Sequence, residues 1–223
     1  MSSAKPPLVV TIDGPAASGK SSTAQMVAAR LGMRHLDSGM IYRTITASRL
    51  RAGDPSEQWT EPSVLAAAAH VSVVPGETSF RPLLDGADCE STIRGEAVTS
   101  TVSLVAKMPQ VRAWVNALIR ATAAAHEIVV DGRDMGTAVF PDARLKIWLV
   151  ALPAVRAERR MLQRAGRAPS AAELAAETAE LERRDVMDRQ QTQPAPDAVW
   201  LDTTGISQAE QVERIVALAL ERR

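Results

Sequence analysis

One stretch near the start of the chain limits the possible folds more than any other. Residues 14–21 read Gly-Pro-Ala-Ala-Ser-Gly-Lys-Ser and fit the pattern G-x-x-x-x-G-K-[S/T] at every fixed position. The apolar run at 8–12 before them is typical of a buried parallel strand. After Lys20, apolar residues recur at the spacing of a helix with one buried face, and Gly32 marks its end. Strand, glycine-rich loop and helix together indicate a phosphate-binding loop.

This loop predicts a site for ATP with Mg²⁺. Its glycines let successive backbone N–H groups point at one phosphate group, and the positive end of the helix lies at the same place. We expect Lys20 to reach the β- and γ-phosphates and the Ser21 hydroxyl to ligate Mg²⁺. The residues expected to bind ATP are Gly14, Pro15, Ala16, Ala17, Ser18, Gly19, Lys20, Ser21 and Ser22.

The composition argues against several classes of partner. Lys plus Arg and Asp plus Glu each total 26, so the chain has no overall basic charge to hold nucleic acid or an anionic membrane. Residues 1–7 are polar, and the apolar run after them is too short for a signal sequence or a membrane span. The single cysteine, Cys89, cannot form an internal disulfide, which suits a reducing compartment. We expect a cytoplasmic monomer with small-molecule partners only.

Five buried strands separated by helices predict an α/β fold with a parallel sheet covered by helices on both faces. The strands are expected at 8–13, 33–36, 128–131, 145–150 and 199–201. Residues from about 54 to 96 differ, because four prolines interrupt them and only short helix and strand patterns occur. We interpret this segment as a small α/β insertion.

A cluster of charged residues follows the third of these predicted strands. Asp131, Gly132, Arg133 and Asp134 stand directly after a buried apolar run. Ligands bind at the carboxyl ends of strands in open parallel sheets, so we expect at least one of these residues to be functional. The alternative is a turn held by salt bridges.

The arginines favour a small kinase with a phosphorylated acceptor. A GTPase is excluded, because it needs an Asn-Lys-x-Asp element and the only Asn, Asn116, precedes Ala117. An alcohol acceptor would need a carboxylate base. A nucleoside monophosphate has a second pKa of about 6, is largely ionised at neutral pH, and needs positive charge more than a base. Arginines at helix starts, the sheet edge or candidate lid positions are Arg43, Arg133, Arg156, Arg160 and Arg184.

The chain resembles the bacterial cytidylate kinases. The resemblance is carried by Ile-Asp-Gly-Pro at 12–15, Leu-Asp-Ser-Gly-Met-Ile-Tyr-Arg at 36–43, Asp-Gly-Arg-Asp-Met-Gly-Thr-Ala-Val-Phe-Pro-Asp at 131–142, Arg-Ala-Glu-Arg-Arg at 156–160 and Arg-Asp-x-x-Asp at 184–188. It runs nearly end to end and includes the insertion. It implies transfer of the γ-phosphate of ATP to CMP or dCMP with Mg²⁺.

The resemblance also implies a domain organisation. The fold would be that of a P-loop nucleoside monophosphate kinase, with a five-stranded parallel sheet, helices on both faces and a small α/β insertion. Residues 1–223 would form a single kinase domain, with a core at 1–37 and 127–223. The monophosphate-binding region would cover 38–126, and a mobile lid about 154–170.

Site residues follow from the same resemblance. Those implied in catalysis are Lys20, Arg133, Arg156 and Arg160, the last two on the lid, where they would meet the ATP phosphates. Those implied in binding the acceptor are Ser38, Tyr42, Arg43, Ser103, Arg112, Arg133, Asp134, Arg184 and Asp188. Arg43 and Arg133 would hold its phosphate. Arg184 and Asp188 would face its ribose.

Ser103, Arg112 and Asp134 would read the cytosine edge, and the chemistry of the base suits them. Cytosine has an exocyclic amine that can donate a hydrogen bond to Asp134. It also has hydrogen-bond acceptors that suit Arg112. Uracil has a carbonyl in place of that amine. It would leave a buried carboxylate unpaired, at a cost of about 1 to 3 kcal/mol.

The chain departs from the family pattern at Gln191, where another Arg usually follows Asp188 by three residues. A positive charge is thereby missing from the expected acceptor-phosphate site, and Arg189 could replace it through a loop shift. An alternative is therefore a kinase for a modified cytidylate or a related small metabolite. A nucleotide-binding protein without turnover is opposed by the intact Lys20 and Ser21. A shikimate-like kinase is opposed by the lack of a suitably spaced acid.

Overall fold

The computed structural model describes residues 7–223. Residues 1–6 lie outside the described residues. The predicted core and the polar N-terminal segment both begin with them. The strands are β1 (Val9–Asp13), β2 (Arg34–Asp37), β3 (Val71–Pro75), β4 (Phe80–Leu84), β5 (Ala87–Asp88), β6 (Ile128–Gly132), β7 (Leu145–Val150) and β8 (Val199–Asp202).

The α-helices alternate with these strands over most of the chain. They are α1 (Lys20–Leu31), α2 (Ser38–Leu50), α3 (Glu61–Ala68), α4 (Glu90–Ile93), α5 (Glu96–Val105), α6 (Pro109–Ala123), α7 (Pro153–Ala165), α8 (Ala171–Asp188) and α9 (Gln208–Glu221). A 3-10 turn covers Ser56–Gln58, and a π-helical turn covers Met135–Val139. Within residues 7–223, no helix is both long and apolar enough to cross a membrane.

Five strands form the central sheet in the order β2-β6-β1-β7-β8, and every pairing in it is parallel. The predicted five-stranded parallel sheet is therefore confirmed. Strand β1 lies at its centre, between β6 and β7. The carboxyl ends of these three strands meet where the phosphate loop leaves β1, which is where ligands bind in such sheets.

Apolar side chains cover both faces of this sheet, as its continuous apolar strands require. On one face, Val10, Ile12 and Ile147 pack against the buried sides of α1 and α9. On the other, Val130 and Leu36 pack with residues of α2, α5 and α6. Burying a side chain of this size stabilises the fold by about 1.5 to 3 kcal/mol, so the two layers hold the strand ends firmly in place.

The segment predicted as an insertion carries a sheet of its own. Strands β3, β4 and β5 pair antiparallel, in that order. The turn between β3 and β4 reaches the outer edge of β2, where the His35 N–H donates to the Thr78 carbonyl oxygen at 3.0 Å. The second sheet therefore covers an edge strand of the first.

Local caps set the start of two helices. Helix α3 begins at Glu61, because Thr60 and Ser63 form a reciprocal cap and Pro62 fits the first turn. Ser170 and Glu173 form a cap of the same kind at the start of α8.

Candidate active site

The loop after β1 depends on glycine at two positions. Gly14 has φ +153°, and a Cβ on it would lie 2.2 Å from the carbonyl oxygen of Leu149 in the neighbouring strand. Gly19 is left-handed, with φ +89°, and immediately precedes the first residue of α1. The loop can therefore lie close to the sheet while the free N–H groups of α1 face the loop.

The other loop residues predicted to bind ATP lie in the same curve. Ala16 is buried, and Ala17 is left-handed with φ +57° although it is not glycine. The buried Ser18 hydroxyl has no hydrogen-bond partner within residues 7–223. The exposed Ser22 hydroxyl donates to the carbonyl oxygen of Gly19 at 3.0 Å. The unpaired Ser18 hydroxyl and the curled backbone fit a loop built around a bound anion.

Lys20 lies over this loop. Its Nζ donates to the carbonyl oxygen of Pro15 at 2.7 Å. Burial, followed by the positive charge of Arg133, lowers the pKa of Lys20 to about 8, against the opposing effect of nearby carboxylates. The ammonium group therefore lies close to Arg133 and in an environment that favours an anionic ligand.

Ser21 and Asp131 form a pair beside the loop. The exposed Ser21 donates from Oγ to Oδ2 of Asp131 at 2.6 Å, and Asp131 is only 2% exposed. Oδ1 of Asp131 accepts from Nε2 of His35 at 2.7 Å. The buried Ser38 donates to the carbonyl oxygen of Asp131 at 2.7 Å. Ser21 is thus joined to the end of β6 through a single carboxylate.

This pair fits a magnesium ion that is shared with a bound nucleotide. Mg²⁺ prefers oxygen ligands, keeps several waters, and needs only one or two carboxylates when phosphates supply the rest. A hydroxyl and an adjoining carboxylate meet that need. No group of three or more His, Cys, Asp or Glu in the described part of the chain could hold a metal by itself.

Arginines from several elements converge around Arg184, and one of them, Arg133, lies near Lys20. Burial is the main cause that lowers the pKa of Arg43, Arg133 and Arg160, and the positive charge of Arg184 contributes in all three. These four side chains, from α2, the loop after β6, α7 and α8, are called the arginine ring below. Crowded like charges of this kind create a positive potential that attracts an anion.

The contacts of the ring leave donors available. Nη2 of Arg133 pairs with Asp188 at 3.0 Å, while its buried Nη1 has no hydrogen-bond partner in the described residues. Arg43 donates from Nη1 to Thr99 Oγ1 at 3.0 Å, and Arg160 pairs through Nε with Glu177 at 3.1 Å. A buried guanidinium nitrogen without a partner is costly, which points to a ligand that supplies an acceptor.

A second polar group is centred on Asp134, in the turn after β6. Asp134 forms a salt bridge with Arg112, and Nη1 of Arg112 donates to the carbonyl oxygen of Ala106 at 3.2 Å. The buried Tyr42 is close to both charges, and burial raises its pKa to about 12. Ser103, partly buried on α5, makes no side-chain hydrogen bond within the described part of the chain. These residues come from three different helices and the turn after β6.

Arg156, predicted to belong to the lid, is buried in this structure. Its guanidinium donates to the carbonyl oxygens of Ala16 and Ala151 at 2.8 and 3.1 Å. Nη2 also pairs with Asp185 of α8 at 2.5 Å. Arg156 therefore joins the phosphate loop to α8, and a contact with ATP stays a prediction.

Gln191 stands where the family usually has an Arg. The structure does not support the idea that Arg189 supplies the missing positive charge. Arg189 is exposed and lines a surface cleft with Trp148 and Val150. Its charge contributes to none of the lowered pKa values in the arginine ring. The ring therefore lacks this charge.

Two carboxylates were not among the residues implied in catalysis or binding, although Asp131 was one of the four candidates at 131–134. Asp13, at the end of β1, accepts from the N–H groups of Met135 and Gly136 at 2.9 and 2.8 Å. It thereby fixes the turn that follows Asp134. The other is Asp131, for which the sequence held a signal, because an Asp that ends a buried strand beside the phosphate loop commonly helps to hold Mg²⁺.

Asp13 is expected to make stability depend on pH. Burial raises its pKa from 3.8 to about 6, so between these values the folded state binds more protons than the unfolded state. The free energy of unfolding should therefore fall as pH rises through this window. The side chain in Asp13→Asn cannot titrate. Relative to this variant, the free energy of unfolding of the wild type should fall by about 2 to 3 kcal/mol between pH 4 and pH 7. Urea unfolding at a series of pH values measures these free energies, and Asp142→Asn, at an exposed position, is the control. A difference between wild type and Asp13→Asn that stays constant or rises with pH would contradict the prediction.

Comparison with known proteins supports one family. The model of the cytidylate kinase family matches residues 10–221. A cytidylate kinase from Nocardia farcinica is 42% identical over 219 residues, covering 94% of this chain and 92% of its own length. One from Thermus thermophilus is 43% identical over 210 residues, covering 94% of this chain and 97% of its own length.

A solved structure supports the fold alone. An uncharacterised protein from Eubacterium ventriosum superposes with a TM-score of 0.51 at 9% identity, covering 96% of this chain and 99% of its own. The family is shown by the sequence matches, which span almost the whole chain and include the phosphate loop, the turn after β6 and the arginine ring. The chain belongs to the cytidylate kinase family.

Proposed function

We propose that this chain transfers the γ-phosphoryl group of ATP to CMP or dCMP at the site between the phosphate loop and the arginine ring. The observation that carries the proposal is the partly buried Arg133, which has an unpartnered Nη1 and whose positive charge helps to lower the pKa of Lys20. Two sets of positive groups, one proposed for each nucleotide, therefore lie next to each other. The family and the curated relatives support the same activity.

On the donor side, the loop backbone and Lys20 would hold the β- and γ-phosphates. Ser21 and Asp131 would hold Mg²⁺, directly or through water. The ion supplies positive charge that offsets the charge of the phosphates. Phosphoryl transfer depends mainly on position and on charge stabilisation, and this is what a fixed lysine and a fixed loop provide.

On the acceptor side, Arg43 and Arg133 would hold the phosphate of CMP so that one of its oxygens points at the γ-phosphate. That phosphate is largely ionised near neutral pH because its second pKa is about 6, so no side chain has to remove a proton. Arg184 and Asp188 would contact the ribose. Arg160 would move with the lid, at about 154–170, toward the transferred group.

The base would lie against Ser103, Arg112 and Asp134. The salt bridge between Arg112 and Asp134 fixes the direction of the carboxylate. An ionised carboxylate accepts from the cytosine amine, whereas the carbonyl of uracil would oppose it. This pair is thus proposed to set the preference for cytosine.

Asp134→Ala is expected to reduce the preference for CMP over UMP by about 10-fold or more, since the cost of the unpaired carboxylate with uracil disappears. The ratio of kcat/KM for the two acceptors measures this. Asp142→Ala, a change of the same type at an exposed position in the same loop region, serves as the control. An unchanged ratio in Asp134→Ala would remove Asp134 from base recognition.

We also propose that the enzyme is a cytoplasmic monomer, with a core at 1–37, of which the structure describes 7–37, and at 127–223, and with a monophosphate-binding region at 38–126. The balanced charge and the low aromatic content of 3% support small molecules, rather than nucleic acid or a membrane, as its partners. A kinase for a modified cytidylate is not favoured, because Gln191 remains its only support while the family and the relatives point to cytidylate.

A panel of acceptors tests the proposed function. ADP release from ATP and Mg²⁺ is measured with CMP, dCMP, UMP, AMP, GMP and cytidine at equal concentrations. The proposal expects CMP and dCMP to be the best acceptors and cytidine to be inactive, because cytidine has no phosphate for the arginine ring. A rate with UMP or AMP above that with CMP would contradict it, as would equal rates with CMP and cytidine.

A further inference from the structure

We propose that His35 is a positioning residue that holds Asp131 in place for the metal-binding pair with Ser21. The inference rests on the proposed function, because it concerns the Mg²⁺ that accompanies ATP. His35 was not among the residues implied by the sequence, and its side chain lies behind Asp131 rather than in the nucleotide site.

The register of the sheet creates the contact. In the parallel pair of β2 and β6, His35 lies opposite Val129, and Asp131 follows two residues later. Residues two apart on a strand face the same side, so the imidazole and the carboxylate share one face of the sheet. Nε2 of His35 lies 2.7 Å from Oδ1 of Asp131, and both side chains are almost fully buried.

Each oxygen of Asp131 therefore has one donor. Oδ1 accepts from His35 and Oδ2 accepts from Ser21 at 2.6 Å. Two bonds from opposite ends fix the plane of the carboxylate, whereas Ser21 alone would leave it free to rotate. Outer partners that orient metal-binding carboxylates in this way typically contribute about 10- to 100-fold to metal affinity.

His35 is itself held from its outer side. Its backbone N–H donates to the carbonyl oxygen of Thr78, in the turn between β3 and β4. The preceding residue, Arg34, donates from Nε to the carbonyl oxygen of Gly76 in the same turn at 3.0 Å. The insertion thus fixes the edge strand that carries the imidazole, which gives this small sheet a connection to the metal site.

The experiment compares His35→Gln with His35→Asn. The amide nitrogen of Gln reaches the position of Nε2, whereas that of Asn reaches only the position of Nδ1 and is too far from Asp131. Both changes keep a polar side chain at the same buried place. The affinity for ADP is measured by calorimetry with Mg²⁺ and again with EDTA, and the affinity for CMP is measured alongside.

In His35→Asn, Mg²⁺ should strengthen ADP binding about 10-fold less than in the wild type, while metal-free ADP binding and CMP binding stay unchanged. His35→Gln should recover most of the Mg²⁺ effect. His70→Asn, at an exposed histidine that pairs with Asp85, should behave as the wild type. Recovery by Gln separates a positioning role from a general loosening of the fold. A loosened fold would weaken the binding of ADP with Mg²⁺, of metal-free ADP and of CMP together.

Two results would overturn the inference alone. One is an equal Mg²⁺ effect in wild type and His35→Asn, and the other is an equal loss of metal-free ADP and CMP binding in both variants. If Mg²⁺ does not strengthen ADP binding even in the wild type, the metal site of the proposed function fails and this inference fails with it.

Discussion

Lys20→Ala is expected to lower kcat for ADP formation about 100-fold or more, which is the usual effect of removing one preorganised donor. Lys20 lies over the curled loop, with Nζ 2.7 Å from the carbonyl oxygen of Pro15, and needs little rearrangement to meet a phosphate. The alanine variant keeps the backbone donors of the loop. ATP should therefore still bind, while the charge on the transferred group loses its nearest lysine.

Initial rates at saturating ATP and CMP measure the effect of Lys20→Ala. Lys107→Ala, at an exposed lysine outside the site, should leave kcat unchanged. Equal turnover in Lys20→Ala and wild type would remove this loop from the mechanism. An unfolded variant is recognised by its thermal denaturation and would not count as a loss of catalysis.

Arg133→Ala is expected to lower kcat/KM for CMP about 100- to 1,000-fold. The substitution removes the unpartnered Nη1 that is proposed to bind the acceptor phosphate, and it leaves Asp188 without its ion-pair partner. The remaining carboxylate would then repel the incoming phosphate. Arg133→Lys should recover only part of the loss, because an ammonium group cannot pair with Asp188 and a phosphate in the same planar arrangement.

Steady-state kinetics with varied CMP measure the effect of Arg133→Ala. Arg183→Ala, at an exposed arginine of α8 that pairs with Glu180, is the matched control and should change kcat/KM little. Full activity in Arg133→Lys would indicate that only charge is needed at this position. Full activity in Arg133→Ala would remove Arg133 from the acceptor site.

The parts of the fold that follow local rules could be predicted from the sequence. The phosphate loop has a fixed spacing, and its glycines stand where the structure needs φ +153° and φ +89°. The strands β1, β6 and β7 consist mainly of apolar residues, so the parallel sheet was predictable from them. Caps such as Ser170 with Glu173 need only residues three apart.

The contacts between distant strands could not be predicted in this way. The pair of His35 and Asp131 depends on β2 lying next to β6, which follows from the order of strands and not from any local pattern. The same holds for Asp13, whose carboxylate fixes a turn more than 120 residues further along the chain. Its position before the loop gave no sign of this partner.

Arg156 shows the limit of predictions from helix position. Its place near the start of α7 suggested a side chain at the edge of the site. In the structure it is 3% exposed, because α7 and α8 pack together and Asp185 supplies a carboxylate beneath the phosphate loop. The burial depends on that tertiary pairing, which the sequence of α7 alone does not contain.

We propose that the phosphate loop and the arginine ring bind two nucleotides that face each other at one site. The most direct test is calorimetric titration with adenosine and cytidine joined through a chain of five phosphates. We expect one molecule to bind per chain, more tightly than ATP or CMP, and saturation with it to abolish the binding of both. Undiminished binding of CMP to the saturated protein would instead show that the two nucleotides occupy separate places, and the proposed shared site would be wrong.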